Sequence, residues 1–214
     1  CLPVVTVLTL AATGSEMDAG GVISNPETND KLGFSFAPMQ PKVSFLDPTL
    51  TYSVSKYQTA CGSADILSHI FESYFVPQDG SMYMLDCVKE SLMKTVIKYA
   101  PIALEQPDNY EARANLMWAA SWAINGFTGA LQNCEWSCHP MEHELSAMEV
   151  AQKSICLTEE FLYKTLRLKS NLSEIGIDAS YFSLMAKKAC GGDVLPGFKP
   201  LKQEDIEKIF TMCL

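Results

Sequence analysis

The sequence predicts a mainly α protein in which a helical region is preceded by a small strand-and-loop region. Two observations carry this expectation. Up to Ser53 the apolar residues come in short, β-branched runs broken by Gly, Pro, Asn and Asp. From Ser55 onward they recur every three or four residues behind helix-capping signals. The division is therefore expected at Ser53 to Ser55, with residues 1–54 as one part and 55–214 as the other.

In chain order, "VVTVLTL" has the composition of a buried strand, and "AATGSEMDAGG" after it is small and turn-rich. "VIS" and "LGFSF" flank "NPETNDK", whose Asn, Pro and Asp suit the turn of a hairpin. "KVSFLDP" reads as a further strand stopped by Pro48. Ser55 and Gln58 then form a capping pair, opening a helix that runs to Phe75. Leu85, Val88, Leu92 and Val96 make a helical stripe expected to end at Pro101. Asp108 with Glu111 is expected to cap the helix through "NYEARANLMWAASWAI". Pro140 suits the first turn of a helix, placing His139 at its mouth and His143 one turn in. "AQKSICLTEEFLYKTLRLKS", "ASYFSLMAKKA" and "QEDIEKIFTM" are further helices, and "CGGDVLPGFKP" is a connection without the phosphate-loop pattern. Trp118, Trp122 and Trp136 read as packing residues, and the methionines as core filler.

The totals narrow the function classes. A chain of 214 residues with 48% hydrophobic and 19% charged residues can bury a real core. A net charge of −9 offers no basic face for phosphates, so nucleic acid is not an expected partner. No apolar run is long enough to span a bilayer and no basic-then-apolar leader opens the chain, so no membrane association is expected. The 8 scattered cysteines read as reduced thiols of a cytoplasmic protein. Because the chain opens with Cys1 rather than Met, its first residue is expected not to be a translation start.

Chemistry concentrates in two places. The chain has only 3 histidines, His69, His139 and His143. Asp65 and His69, four apart on one helical face, can converge on a cation, or can form a helix-surface ion pair or an oriented core histidine. Glu72 continues that face. "CEWSCHPMEHELSAM" leaves three readings open. Cys134, Cys138, His139 and His143 can close a structural zinc site. His139 can join Asp65 and His69 on one Fe(II) or Zn(II) ion. Or the histidines are incidental to a helix start.

Four stretches in order, "LTLAATGSEMDAGGVIS", "PKVSFLDPTLTYSVSKYQTACGSADILSHIFESYF", "NYEARANLMWAASWAINGF" and "EWSCHPMEHELSAM", resemble the iron-containing (group III) alcohol dehydrogenases, above all their butanol dehydrogenase branch. The resemblance covers residues 2–148, and "FKPLKQEDIEKIF" is similar to the family's C-terminal end. It implies NAD(P)-dependent reduction of aldehydes or oxidation of small alcohols with a divalent metal, Fe2+ or Zn2+. It implies Asp65, His69 and His139 as metal ligands, and His143 beside the nicotinamide as a proton relay. Thr9, Thr13, Asp18 and Lys31 match positions around NADP(H) or NAD(H). Residues 1–54 would then be what is left of an α/β cofactor domain, and residues 55–214 a helical metal-binding domain.

Two departures stand out. The glycine-rich dinucleotide segment of the relatives is expected to be missing ahead of Cys1, and residues 144–214 contain no histidine, where relatives carry their last metal histidine. The sequence passes from "SAM" directly into "EVAQKSICLTEEFL". A shortened form with impaired activity is the expectation. In place of the missing histidine, Glu144 or Glu149 is a candidate substitute ligand. The alternative is a non-catalytic helical metal-binding or assembly module of the same descent. Residues 1–50 are expected to have lost their sheet partners, leaving exposed edges open to pairing in a homo-oligomer.

Overall fold

The computed structural model describes residues 2–25, 27, 30–75, 82–128, 157–190, 194, 195 and 200–214, with backbone alone at 22, 24 and 30–33. The chain divides into two units, Cys1–Ile70 with Met84–Ala130, and Phe71–Tyr83 with Leu131–Leu214. Ser53 to Ser55 thus lies inside the first unit.

In the first unit, β1 (Val5–Val7) runs parallel to β4 (Val43–Phe45), with Val5 opposite Val43 and Val7 opposite Phe45. The Leu8 amide donates to the Phe45 carbonyl at 3.0 Å, and the Lys42 amide to the Val4 carbonyl at 2.9 Å. β2 (Gly20–Asn25) and β3 (Asp30–Ser35) form an antiparallel hairpin around the Asn-Pro segment, as their turn residues predict. Each strand has one partner in a two-stranded sheet and, among the described residues, one unpaired edge. Their apolar side chains nevertheless face solvent. Val5, Val7 and Phe45 are each more than half exposed, although a parallel pair is ordinarily covered on both faces.

The helices dominate the described chain, which is mainly α. α1 (Lys56–Tyr74) starts where its capping pair predicts, the Ser55 hydroxyl accepting from the Gln58 amide at 3.2 Å. α2 (Tyr83–Glu105) does not end at Pro101 but passes through it. The ring costs one backbone hydrogen bond, yet Ala100 and Ala103 on either side are fully buried, and that packing carries the helix one more turn. α3 (Tyr110–Ile124) is capped by Asn109 rather than Asp108. With Tyr110 as the first helical residue, the Asn109 carboxamide oxygen meets the Ala112 amide at 3.1 Å, the capping geometry. Ala112, Ala119, Ala120 and Ala123 line the buried side of α3, so neighbouring backbone approaches it closely. The rest of this core includes Ile66, Ile70, Val96, Leu116 and Met117.

In the second unit, the long helix expected over 151–170 is, among the described residues, α-helical at 157–159 and π-helical at Glu160–Thr165. It ends where Arg167 takes a φ of 56°, a left-handed conformation that stops a helix. "ASYFSLMAKKA" folds as a 3-10 turn at Ala179–Tyr181 running into α4 (Phe182–Ala189), and "QEDIEKIFTM" is α5 (Gln203–Met212). α4 and α5 bury Ala186, Cys190, Leu201 and Ile206 between them.

Gly14 is a tightly packed point of the first unit. Its φ is 64°, and a Cβ there would lie 2.5 Å from the Ala120 carbonyl oxygen and 2.6 Å from an Ile124 methyl. Gly176 has a φ of 80° with nothing within 4 Å of a Cβ. Gly14→Ala is expected to lower the urea-unfolding free energy by about 2–5 kcal/mol, combining backbone strain and overpacking. Gly176→Ala is expected to cost only the strain, about 1–2 kcal/mol. Equal losses in the two variants would contradict the packing described.

Candidate metal and cofactor site

α1 presents Asp65 and His69 one turn apart, and their side chains do converge. His69 Nε2 lies 3.7 Å from Asp65 Oδ1, longer than a hydrogen bond. His69 is buried, at 8% exposure, and Asp65 is half-buried. Asp65 Oδ2 is itself buried and has no hydrogen-bond partner among the described residues. A carboxylate oxygen withdrawn from water without a donor is costly, and a cation is the natural remedy. One oxygen donor beside one imidazole suits Fe(II) or Zn(II), so these two residues fit a divalent ion. Among the described residues no three His, Cys, Asp or Glu side chains gather to complete such a site. His139 and His143 lie outside the described residues, as do Cys134, Cys138, Trp136, Glu144 and Glu149.

The loop that carries Thr9 and Thr13 is seated on the same helix. A Cβ at Gly62 would fall 2.4 Å from the Ala11 carbonyl oxygen, so α1 and the loop touch backbone to backbone just one turn before Asp65. Thr9 and Thr13 are exposed there. Asp18 follows the 3-10 turn Ser15–Met17 and lies close to Gly20 at the start of the hairpin. Lys31 pairs with Ser24 through the backbone of β3, and its side chain lies outside the described part. The structure thus joins Asp65 with His69, and sets the threonine loop on the helix that bears them.

Three residues that anchor this arrangement carry no obvious signal in the sequence. Arg113, on α3, is 4% exposed. Its Nη1 donates to the Thr59 hydroxyl at 2.9 Å and its Nε to the Pro107 carbonyl at 2.8 Å. Burial pushes its guanidinium below the ordinary arginine value, with Tyr52 acting weakly the other way. Glu16 is 3% exposed and accepts from the Ser121 hydroxyl, tying the loop to α3. Gly62 is legible only once its neighbour across the fold is known. Trp118, expected to be a packing residue, is 59% exposed, with its ring edge-on to Trp122 at 5.9 Å.

Comparison with known proteins gives this site its context. Residues 59–152 match the C-terminal model of the Fe-containing alcohol dehydrogenase family, and residues 1–48 match the iron-containing alcohol dehydrogenase model. The chain belongs to the iron-containing alcohol dehydrogenase family. It is 42% identical over 257 positions to NADH-dependent butanol dehydrogenase A of Clostridium acetobutylicum, covering 98% of this chain and 66% of that enzyme. It is 44% identical over 148 positions to the NADPH-dependent aldehyde reductase YqhD of Escherichia coli, covering 69% of this chain and 38% of the reductase. The crystal structure of E. coli YqhD superposes with a TM-score of 0.89 at 30% identity, covering 100% of this chain and 66% of that one. The structure of NADH-dependent butanol dehydrogenase A from Thermotoga maritima gives 0.86 at 26% identity, with 100% and 66% covered. The chain therefore spans just under two thirds of the length of the first of these relatives. The Clostridium alignment is also longer than the 214 residues of the chain, so it contains gaps opposite the relative, and the C-terminal family model stops matching at residue 152.

Arg113→Met, which leaves the Thr59 hydroxyl and Pro107 carbonyl without their donor, is expected to cost about 1–3 kcal/mol in urea unfolding. A loss within error of zero would show that the clamp on α1 is not made in solution.

Proposed function

We propose that this chain is the metal-bearing part of an NAD(P)-dependent alcohol dehydrogenase or aldehyde reductase of the butanol dehydrogenase type, shortened and with impaired turnover on its own. The observation that carries the reading is the Asp65–His69 pair, with its partnerless buried carboxylate oxygen, on a helix inside the family's C-terminal match. Asp65, His69 and His139 would hold the divalent ion, and His143 would hold and release the proton that converts an alkoxide to an alcohol. When bound, the ion supplies Lewis-acid stabilisation of negative charge on oxygen, and the nicotinamide supplies the hydride. Thr9, Thr13, Asp18 and Lys31 would line NADP(H) or NAD(H). Short linear alcohols and aldehydes are the proposed substrates, after the names of the butanol dehydrogenases it resembles. Residues 1–54 are proposed as the remainder of the cofactor domain and 55–214 as the helical metal-binding domain. The two family models part between residues 48 and 59, which supports that division.

The shortening is proposed to include an internal segment after the "SAM" of residues 146–148, which in relatives carries a further metal histidine. The gapped alignment and the absence of any histidine after His143 support this. The same observations favour the second reading, a non-catalytic metal-binding or assembly module. Among the described residues no helix is long and apolar enough to cross a membrane. A cytoplasmic location is proposed on the 8 scattered cysteines, which suit a reducing compartment. The exposed apolar side chains of β1 and β4 support a homo-oligomer.

Two measurements test the proposal. Zn(II) or Fe(II) is expected to bind at one ion per chain, and His69→Ala or Asp65→Ala is expected to weaken it at least about 100-fold by competition titration, a ligand counting for more than the residues around it. Unchanged affinity in both variants would remove the basis of the reading. In a steady-state assay with butyraldehyde and NADH or NADPH, with either metal added, turnover is expected well below the ordinary range of about 1 s⁻¹ and above. Turnover within that range would refute the impairment while sustaining the dehydrogenase. Stoichiometric metal without dinucleotide binding would favour the non-catalytic module.

A further inference from the structure

Gly62, Asp65 and His69 stand three and four residues apart on α1, so one face of the helix carries all three. At Gly62 that face holds backbone from elsewhere in place of a side chain. A Cβ there would lie 2.4 Å from the Ala11 carbonyl oxygen and 3.2 Å from the Ala12 methyl. Gly62 and Ala12 are both buried. The loop that supplies this backbone is fastened elsewhere too. Three residues past Ala11, Gly14 sits against the Ala120 carbonyl, and Glu16 takes the Ser121 hydroxyl, so α3 holds the same loop. The loop thus spaces α1 from α3, and it meets α1 one turn before the Asp65–His69 pair.

We propose that Gly62 is a positioning residue for the metal: by admitting the Ala11–Ala12 backbone, it sets the distance of Asp65 and His69 from ligands that the rest of the chain supplies. The inference rests on the proposed metal reading of that pair. Its basis is a comparison of tolerances. Metal–ligand distances hold to about 0.2 Å. A methyl at position 62 cannot stay 2.4 Å from a carbonyl oxygen, and its relief takes a shift of roughly half an ångström or more. With the loop tied to α3, α1 is the element that yields. Asp65 and His69 ride on one helix and keep their mutual spacing. A ligand from another element, such as His139 of the proposed set, does not move with them. A glycine with a packing role alone would change stability and leave the metal affinity of the folded chain as it was.

The test is a titration of the full chain with Zn(II) in competition with a chromophoric chelator, with far-UV circular dichroism to establish that each variant is folded. Gly62→Ala is expected to weaken zinc at least about tenfold, the scale on which residues behind metal ligands act. Ala12→Gly adds no bulk and removes only the methyl beside Gly62. It is expected to weaken zinc several-fold, and it decides the question if Gly62→Ala does not fold. Gly176→Ala, in the second unit with open space around it, is expected to leave zinc affinity unchanged. Unchanged affinity in a folded Gly62→Ala overturns the inference, as does unchanged affinity in Ala12→Gly where that variant decides, or an equal loss in Gly176→Ala. Zinc that is lost on His69→Ala but indifferent to position 62 overturns this inference and leaves the metal reading standing. Zinc indifferent to His69→Ala removes both.

Discussion

The first unit depends on one backbone passing where only glycine permits it. The loop from Leu8 to Met17 lies against α1 at Gly62 and against α3 at Gly14, with carbonyl oxygens in the places where side chains would stand. Interiors pack at crystal-like density, so such contacts fix the loop to both helices with little freedom to slide. Thr9 and Thr13 on the loop, and Asp65 and His69 on α1, are thereby held in one frame. Glu16 and Arg113 fasten it further: one through Ser121 of α3, the other from α3 to Thr59 of α1.

Around this frame the strands behave differently from the helices. β1 with β4 and β2 with β3 satisfy the backbone hydrogen bonds of one edge of each strand and leave the other edge to water. Apolar side chains lack cover as well, since Val5, Val7 and Phe45 remain in water. A sheet of two parallel strands can be hydrogen-bonded and still lack the covering layers that stabilise parallel sheets. The helices are better covered, since Ile66 and Ile70 of α1, Val96 of α2, and Leu116 and Met117 of α3 are buried.

Buried carboxylates are the second theme. Asp65 and Glu16 each keep one oxygen from water with no donor among the described residues. At Asp65 the neighbour is an imidazole, which suits a metal. At Glu16 the neighbour is the Ser121 hydroxyl, which ties the loop to α3. The distinction lies in the partners rather than in the carboxylate itself.

By itself the sequence determined the elements and the family. Ser55 with Gln58, the apolar stripe of Leu85 to Val96 and the hairpin residues around Asn25 are local signals, and local physics decides them. The spacing of Asp65 and His69 is equally local, since four residues on a helix place two side chains on one face. Three features were decided only by the tertiary structure, because each depends on atoms distant in sequence. α2 runs through Pro101 because Ala100 and Ala103 are buried. Arg113 turns inward because Thr59 and Pro107 await its donors. Gly14 and Gly62 are required because a carbonyl from elsewhere in the chain occupies the place of a side chain, and no window of neighbouring residues contains that fact.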